Sequence, residues 1–218
     1  MLLVISRFNE KLDWLSEINC EKVIYNKGKP LDGFINIPNI GRETETYLKY
    51  IVENYNKLPE IIIFTQADPF THSPNFLKLI KNLDFSDILP LTVRWKPDFP
   101  PKLIYEKFLD SYYLETISKF TLAPLKHWDS GIADPYYKYI NMHNLNIGTD
   151  VIKHFCDSIG LIDDSQDIIS FFYSSCFAIK KETILKYNLD FYSNCLKIIR
   201  KNDNYGYLFE RKIGRAHV

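Results

Sequence analysis

The sequence predicts an α/β fold: a single domain with a mostly parallel central sheet flanked by helices. Short apolar runs typical of buried strands alternate with segments whose apolar residues recur at helical spacing. A chain of 218 residues, 46% of them hydrophobic, can bury one sizeable core. We therefore expect one domain over residues 1–211.

Three strands are predicted from apolar runs that end in polar loops. They cover residues 2–6, 22–25 and 60–65. The third run is apolar on both sides, which suits the centre of a parallel sheet. Between the first two, apolar residues recur at helical spacing over residues 12–18, so this part is interpreted as a β-loop-α-β unit.

The clearest helix begins near Arg42, because Tyr47, Leu48, Ile51 and Val52 mark one helical face. The residues before it, 30–41, are rich in Pro, Gly and Asn and are expected to form an irregular connection.

The second half of the chain gives weaker signals. We expect a strand near residues 88–93, a helix near 102–108 and a strand-like run over 168–179. A short helix over 181–187 and a helix over 191–199 follow. Two segments are expected as polar loops, Trp128-Asp129-Ser130 and Asp134-Pro135.

Charge and composition exclude several classes of protein. Lys plus Arg equals Asp plus Glu at 27 each, so no overall field favours nucleic acid or an anionic membrane. Only the six apolar or small residues of MLLVIS precede Arg7, too few for a signal-peptide core or a membrane span, so a cytoplasmic location is expected. The four dispersed cysteines predict free, buried thiols. Residues 213–218 continue no pattern and are interpreted as a non-native, adapter-derived tail after a truncated domain.

Three polar clusters follow the first three predicted strands, at residues 7–10, 26–28 and 66–68. Right-handed crossovers bring the carboxyl ends of parallel strands to one edge of the sheet, where ligands of open α/β folds bind. This edge is therefore the predicted site.

A diphosphate is expected at the start of the helix that begins near Arg42. Asn39 and Gly41 precede free backbone N–H groups and the positive end of the helix dipole. Arg42 can add a bidentate contact. The alternative is that Gly41 only permits a tight turn while Arg42 pairs with a carboxylate.

Asp68 is the candidate metal ligand and a candidate catalytic residue. It lies just after a buried strand, where a carboxylate can hold Mn²⁺ or Mg²⁺ against two phosphates. Gln66 is a weaker donor. The alternative is that Asp68 caps a helix that starts near Pro74.

The remaining candidates would contact the nucleotide or its sugar, because amide and carboxylate groups match nucleotide donors and acceptors. Turn formation is the alternative for each. They are Arg7, Phe8, Asn9, Glu10, Tyr25, Asn26, Lys27 and His72.

The motifs resemble an uncharacterised family known only as a domain of unknown function. The matching stretches are RFNEKLDWL, VIYNKG, IPNIGRETETYLKYIVENY, IIIFTQADPF, FFYSSCFAIKKETI and LFER. The family in turn resembles the GT-A class of nucleotide-sugar glycosyltransferases. That class has a first strand that runs into an Asn-containing turn and a later strand that ends in an acidic motif.

The resemblance implies roles for particular residues. Asn9 and Glu10 would lie at the nucleotide, Gly41 and Arg42 near the helix that follows, and Asp68 at the last acid of the metal motif. Glu210 would be the general base. Gln66 departs from the pattern because the first acid is absent.

Two functions are therefore expected. The first is transfer of a sugar from a nucleotide-diphosphate sugar to an acceptor hydroxyl, with a divalent cation. The alternative is a non-catalytic domain of the same fold that binds a nucleotide or glycan. The absence of GxGxxG and of a P-loop lysine motif disfavours other nucleotide-dependent α/β enzymes.

Overall fold

The computed structural model describes residues 1–81, 83–91, 114–120, 122, 134–162, 167–172 and 176–213. The fold is α/β, with a mixed six-stranded sheet flanked by helices and a second sheet of two strands. The strands are β1 (Leu2–Arg7), β2 (Glu21–Asn26), β3 (Ile35–Asn36), β4 (Ile61–Gln66), β5 (Ile88–Pro90), β6 (Leu114–Ser118), β7 (Ile168–Phe172) and β8 (Phe177–Lys180). The helices are α1 (Arg42–Asn54), α2 (Phe76–Leu79), α3 (Asp134–His143), α4 (Val151–Ile159), α5 (Lys181–Ile184), α6 (Leu189–Ile199) and α7 (Tyr205–Ile213). Two 3-10 helices cover Asp13–Glu17 and Tyr55–Lys57.

The large sheet has the strand order β3-β2-β1-β4-β8-β5. β1 pairs in parallel with β2 and β4, and β2 pairs in parallel with β3. β8 lies antiparallel to both of its neighbours, β4 and β5. The expectation of a mostly parallel sheet was therefore wrong, because an apolar run predicts burial of a strand but not its direction.

The apolar run over residues 168–179 divides between two sheets. β7 pairs antiparallel with β6 in the small sheet, whereas β8 lies inside the large one. The run contains no Gly or Pro to mark a break, so a single strand was predicted.

The segment over residues 12–18 forms a 3-10 helix rather than the predicted α-helix. No side chain caps its first turn. The Trp14 indole N–H instead donates to the Ala67 carbonyl oxygen at 2.9 Å, and its ring packs edge-on against Phe70 and Phe76. Tertiary contacts with the loop after β4 thus override the helical spacing.

Other elements agree more closely with expectation. β1, β2, β4, α1, α5 and α6 lie within a few residues of their predicted positions. Asp134-Pro135, expected in a loop, begins α3 instead, since proline is tolerated in the first helical turn. The predicted helix near 102–108 and loop 128–130 lie outside the described residues, as does the tail after Ile213.

Two hydrophobic clusters cover the two faces of the large sheet, because side chains alternate along each strand. Along β1, Leu2 and Val4 face α1, α4, α6 and α7, whereas Leu3 and Ile5 face α2 and the first 3-10 helix. All four cysteines are free thiols, and all except Cys20 are buried. Within the described ranges, no helix is long and apolar enough to cross a membrane.

Candidate functional site

A polar cleft of about 340 Å³ opens where β1, β2 and β4 end and α1 begins. Its walls come from the loops after these three strands and from the first turn of α1. The residues that line it are Ser6, Arg7, Phe8, Glu10, Lys27, Asn39, Arg42, Glu43, Gln66, Asp68, Thr71 and His72. The strand topology thus brings the three predicted polar clusters to one cleft.

Most of the predicted site residues line this cleft, but five do not. Those five are Asn9, Tyr25, Asn26, Gly41 and Glu210. Three lining residues were not predicted: Ser6, Glu43 and Thr71. Glu43 had a usable signal, since it directly follows Arg42 in the first turn of the best predicted helix.

Arg7 and Glu10 build the loop after β1. The Arg7 guanidinium donates to the Glu10 carbonyl oxygen at 2.9 Å and to Asn26 Oδ1 at 2.7 Å. The Glu10 carboxylate accepts from the backbone N–H groups of Phe8 and Asn9, at 2.7 and 3.0 Å. Arg7 and Glu10 line the cleft, but both side chains already form hydrogen bonds within the protein.

The loops after β1 and β2 approach each other closely at Gly28. A Cβ atom at position 28 would lie 1.8 Å from the Phe8 carbonyl oxygen, so a larger residue requires the loop to move. Buried Asn26 joins the same loops: its amide donates to the Lys29 carbonyl oxygen and to Asn36 Oδ1, at 2.7 and 2.8 Å. Asn26 is therefore a structural support beneath the cleft.

Lys27, Glu45 and Arg200 form what we term the buried charge cluster. Lys27 Nζ lies 2.9 Å from Glu45 Oε2, and both side chains are at most 4% exposed. Arg200, whose side chain is 45% exposed, reaches the other carboxylate oxygen of the buried pair, Glu45 Oε1, at 2.6 Å. Burial lowers the pKa of Lys27, and Glu45 opposes this by stabilising the ammonium form. The Lys27 charge is therefore neutralised inside the protein.

The first turn of α1 has an unusual backbone. Gly41 and Arg42 both have left-handed φ angles, 62° and 51°. A Cβ at Gly41 would also lie 2.7 Å from Ile199 Cγ1, so glycine is required there. The Gly41 N–H donates to Asp203 Oδ1 at 2.6 Å, so this amide is engaged by a protein carboxylate.

Arg42 differs from the other cations at the cleft. Its side chain is exposed, and its guanidinium lies 4.5 Å from the centre of the Tyr207 ring. Within the described part of the chain, Arg42 makes no hydrogen bond or ion pair. Its five N–H donors therefore remain available to an anion.

Asp68 also lines the cleft and is exposed, in a turn that several hydrogen bonds fix. Asp68 Oδ1 accepts from the Phe70 N–H at 3.2 Å, and the Gln66 side-chain amide donates to the Asp68 carbonyl oxygen at 2.8 Å. The Ala67 N–H donates to the Ser6 carbonyl oxygen at 2.9 Å, which ties this turn to β1. Asp68 does not cap α2, whose N-cap residue is Asn75.

The residues that the structure describes do not form a metal site of their own. Among the residues that the structure describes, no group of three or more His, Cys, Asp or Glu side chains is placed to hold a metal ion. Divalent cations such as Mg²⁺ take six oxygen ligands and keep several waters. A cation at Asp68 would thus depend on phosphate oxygens of a ligand for much of its coordination.

Two predicted site residues, Tyr25 and Glu210, lie outside the cleft. Tyr25 is buried, and its hydroxyl donates to Glu53 Oε2 at 3.3 Å. Glu210 lies on α7. Burial raises the pKa of Tyr47, and the charges of Cys176, Glu43 and Glu210 add to that shift.

Comparison with known proteins concerns mainly the first part of the chain. Residues 2–90 match the model of a family described as "Protein of unknown function (DUF3431)". All the residues that line the cleft lie within this match. No curated protein and no solved structure matches significantly. Residues 2–90, less than half of the chain, are therefore similar to this uncharacterised family.

Proposed function

We propose that the protein is a glycosyltransferase that binds a nucleotide-diphosphate sugar in the cleft and transfers the sugar to an acceptor hydroxyl. One observation carries this proposal. The guanidinium of Arg42, which forms no hydrogen bond or ion pair with the described residues, and the exposed carboxylate of Asp68 both line one polar cleft. The cleft lies at the carboxyl ends of parallel strands, where α/β folds bind ligands.

The diphosphate would lie against Arg42. A planar guanidinium can form two parallel hydrogen bonds to phosphate oxygens, and these charge-assisted bonds are stronger than neutral ones. The cleft's other cations, Arg7 and Lys27, already donate to protein acceptors. Arg42 would therefore supply the countercharge to the leaving diphosphate. The half-exposed ring of Phe8 offers an apolar surface to the nucleoside.

The reaction needs one group to accept a proton. The acceptor oxygen would attack the anomeric carbon while the bond from that carbon to the diphosphate oxygen breaks. The diphosphate then leaves with the electron pair, and the hydroxyl proton passes to a carboxylate. Asp68 and Glu43 line the cleft and are the candidates for this base, whereas Glu210 does not line it.

A divalent cation remains part of the proposal only as a group that arrives with the donor. Bound beside Asp68, it would neutralise phosphate charge. The roles of Arg42 and of the cleft carboxylates do not depend on it.

A second candidate is a non-catalytic domain that binds a nucleotide or glycan. Two observations favour it: Gln66 stands where the acid of a metal motif is expected, and the described residues contain no metal-binding group. Turnover separates the two candidates.

A thermal-shift panel tests the donor site. Uridine, guanosine, cytidine and thymidine diphosphates and their sugars are added with and without Mn²⁺, because a ligand of the folded state raises the melting temperature. At 100 times Kd we expect a rise of about 5 °C or more. Asp68→Asn is compared with Asp157→Asn, which changes an exposed carboxylate on α4.

Each outcome of this panel has a defined meaning. A rise with one nucleotide that is reduced in Asp68→Asn but kept in Asp157→Asn supports the donor site. Release of free sugar or transfer to an acceptor by the wild type, lost in Asp68→Asn, supports the transferase. Binding without turnover in either protein favours the second candidate. No shift with any nucleotide contradicts the transferase and the nucleotide-binding form of the second candidate.

A further inference from the structure

We infer that Tyr207 and Asp203 are positioning residues that hold Arg42 ready for a diphosphate group. Both lie far along the chain from the strands that form the cleft, and neither lines it. The choice of diphosphate as the ligand rests on the proposed function. The positioning itself rests on contacts in the structure.

The first step is that Arg42 has a backbone conformation that needs support. Its φ of 51° is left-handed, a conformation that non-glycine residues adopt at an energetic cost. It directly follows Gly41, which is also left-handed. Two such residues in succession persist only where the surrounding structure holds them in place.

The second step is that the chain around α7 supplies that support. Asp203 Oδ1 accepts from the Gly41 N–H at 2.6 Å and thereby fixes the peptide just before Arg42. The backbone at Gly206 packs against the same turn, since a Cβ there would lie 3.7 Å from Arg42 Cδ. The start of α7 therefore contacts both the backbone and the side chain of the Gly41-Arg42 turn.

The third step concerns the Arg42 side chain. The Tyr207 ring attracts the guanidinium, which lies 4.5 Å from the ring centre. A cation–π contact uses the face of the ring and does not consume N–H donors. It therefore restricts a long, flexible side chain while its hydrogen-bonding capacity remains open. A side chain that is already ordered loses less entropy when a ligand binds.

The alternative is that Tyr207 only packs α7 against α1. That role would be insensitive to the charge of Arg42. The positioning role instead predicts that the effects of Tyr207 and Arg42 on anion binding are coupled. Replacement of both residues should weaken binding no more than replacement of Arg42 alone.

The binding experiment uses inorganic pyrophosphate as the probe and isothermal titration calorimetry as the measurement. Tyr207→Leu is expected to weaken binding about fivefold, whereas Tyr207→Phe, which keeps the ring, stays within about twofold of wild type. In an Arg42→Gln background, Tyr207→Leu should have no further effect. The matched control is Tyr137→Leu, which removes a half-exposed tyrosine ring on α3.

A second measurement needs no ligand. An aromatic ring shifts the NMR resonances of groups that lie over its face, so the Arg42 Nε–H resonance should be displaced in wild type and in Tyr207→Phe. In Tyr207→Leu the resonance should return toward the value of a solvated arginine. This measurement distinguishes loss of the ring contact from unfolding, because only a folded variant gives a dispersed spectrum.

The outcomes separate this inference from the proposed function. An Arg42 resonance that is the same in wild type and Tyr207→Leu would overturn the positioning inference, whatever the binding data show. Equal pyrophosphate affinity in wild type and Tyr207→Leu would also overturn it. A displaced resonance in a wild-type protein that binds no pyrophosphate would overturn the diphosphate site, although the contact between the two side chains would stand.

Discussion

The buried charge cluster and the cleft wall contain the same kinds of side chain but use them in opposite ways. In the cluster, the buried Lys27 and the half-exposed Arg200 neutralise the buried carboxylate of Glu45. At the cleft wall, Arg42 and Asp68 are exposed and form no ion pair with each other. The buried charge cluster therefore stabilises the fold, whereas Arg42 and Asp68 are accessible to a ligand.

Residue type and position in a loop are therefore not enough to identify a charged side chain that is available to a ligand. Lys27 and Arg42 were both predicted to bind substrate. Lys27 lines the cleft, yet its ammonium donates to Glu45 and to the Ile40 carbonyl oxygen. Partners distant in sequence decide which of the two cations remains available.

The largest effect is expected from Glu45→Gln, which removes the carboxylate charge at the centre of the buried charge cluster. It leaves Lys27 buried without its counterion, so we expect a loss of about 3 kcal/mol in the free energy of unfolding, measured with urea. The matched control is Glu60→Gln, an exposed partner of Lys181, with an expected change below about 0.5 kcal/mol. Equal, small losses in both variants would mean that the cluster is not a main support of the fold.

The next largest effect is expected at Gly28, where the loops after β1 and β2 approach each other closely. Gly28→Ala places a Cβ against the Phe8 carbonyl oxygen, so we expect a loss of about 2 kcal/mol in stability together with weaker pyrophosphate binding. Gly206→Ala is the control for stability alone, because a Cβ there meets only an ordinary contact, 3.7 Å from Arg42 Cδ, and alanine favours a helix. If Gly28→Ala were as stable as wild type, the close approach of the two loops would be refuted.

A change at Arg42 tests whether the exposed guanidinium at the cleft binds an anion. Arg42→Gly removes the guanidinium but relieves the left-handed backbone, so stability should stay within about 1 kcal/mol of wild type. Affinity for pyrophosphate should fall about tenfold or more, because charge-assisted hydrogen bonds are lost. Lys197→Gln, which removes an exposed positive charge on α6, should leave affinity unchanged; a similar fall in both would indicate an effect of net charge alone.

The smallest effect is expected from His143, which is neither as buried as Lys27 nor as exposed as Arg42. Burial, with a contribution from the nearby His154, lowers the pKa of His143 below its ordinary value of 6.5. The folded state therefore binds this proton less readily than the unfolded state does. The stability that His143 contributes is fully present above pH 6.5 and is lost as the pH falls through the lowered pKa.

Melting curves between pH 8 and pH 5 measure this dependence. His143→Gln should lose less stability on acidification than wild type does. The groups that face His143 include His154, Tyr139, whose tilted ring has its centre 4.3 Å from the imidazole centre, and Tyr205, whose hydroxyl lies 2.9 Å from Nε2. Identical pH profiles for the two proteins would rule out His143 as the source of the effect.

Much of the first part of the fold could be predicted because its signals are local. The apolar runs of β1, β2 and β4 and the apolar face of α1 indicate burial directly. The topology of parallel strands then predicts where the polar loops meet. Helix α4 also had clear signals that the sequence analysis missed: Asp150 caps its start, and Gly160 ends it with a φ of 77°.

The rest depends on contacts between distant segments. The direction of β8 is set by its position between β4 and β5, and the 3-10 form of residues 13–17 by the Trp14 contact with Ala67. The assignment of Lys27 to the interior depends on Glu45. None of these partners can be identified from local pattern.

The hydrogen bond between Gly41 and Asp203 has a consequence for the order in which the molecule is completed. It joins residues 162 positions apart, so it forms only after almost the whole described chain has left the ribosome. A nascent chain with β1, β2, β4 and α1 in place still lacks the contact that fixes the first turn of α1. Ligand affinity should therefore be acquired last during synthesis, and it can serve as a sign that the polypeptide has folded through α7.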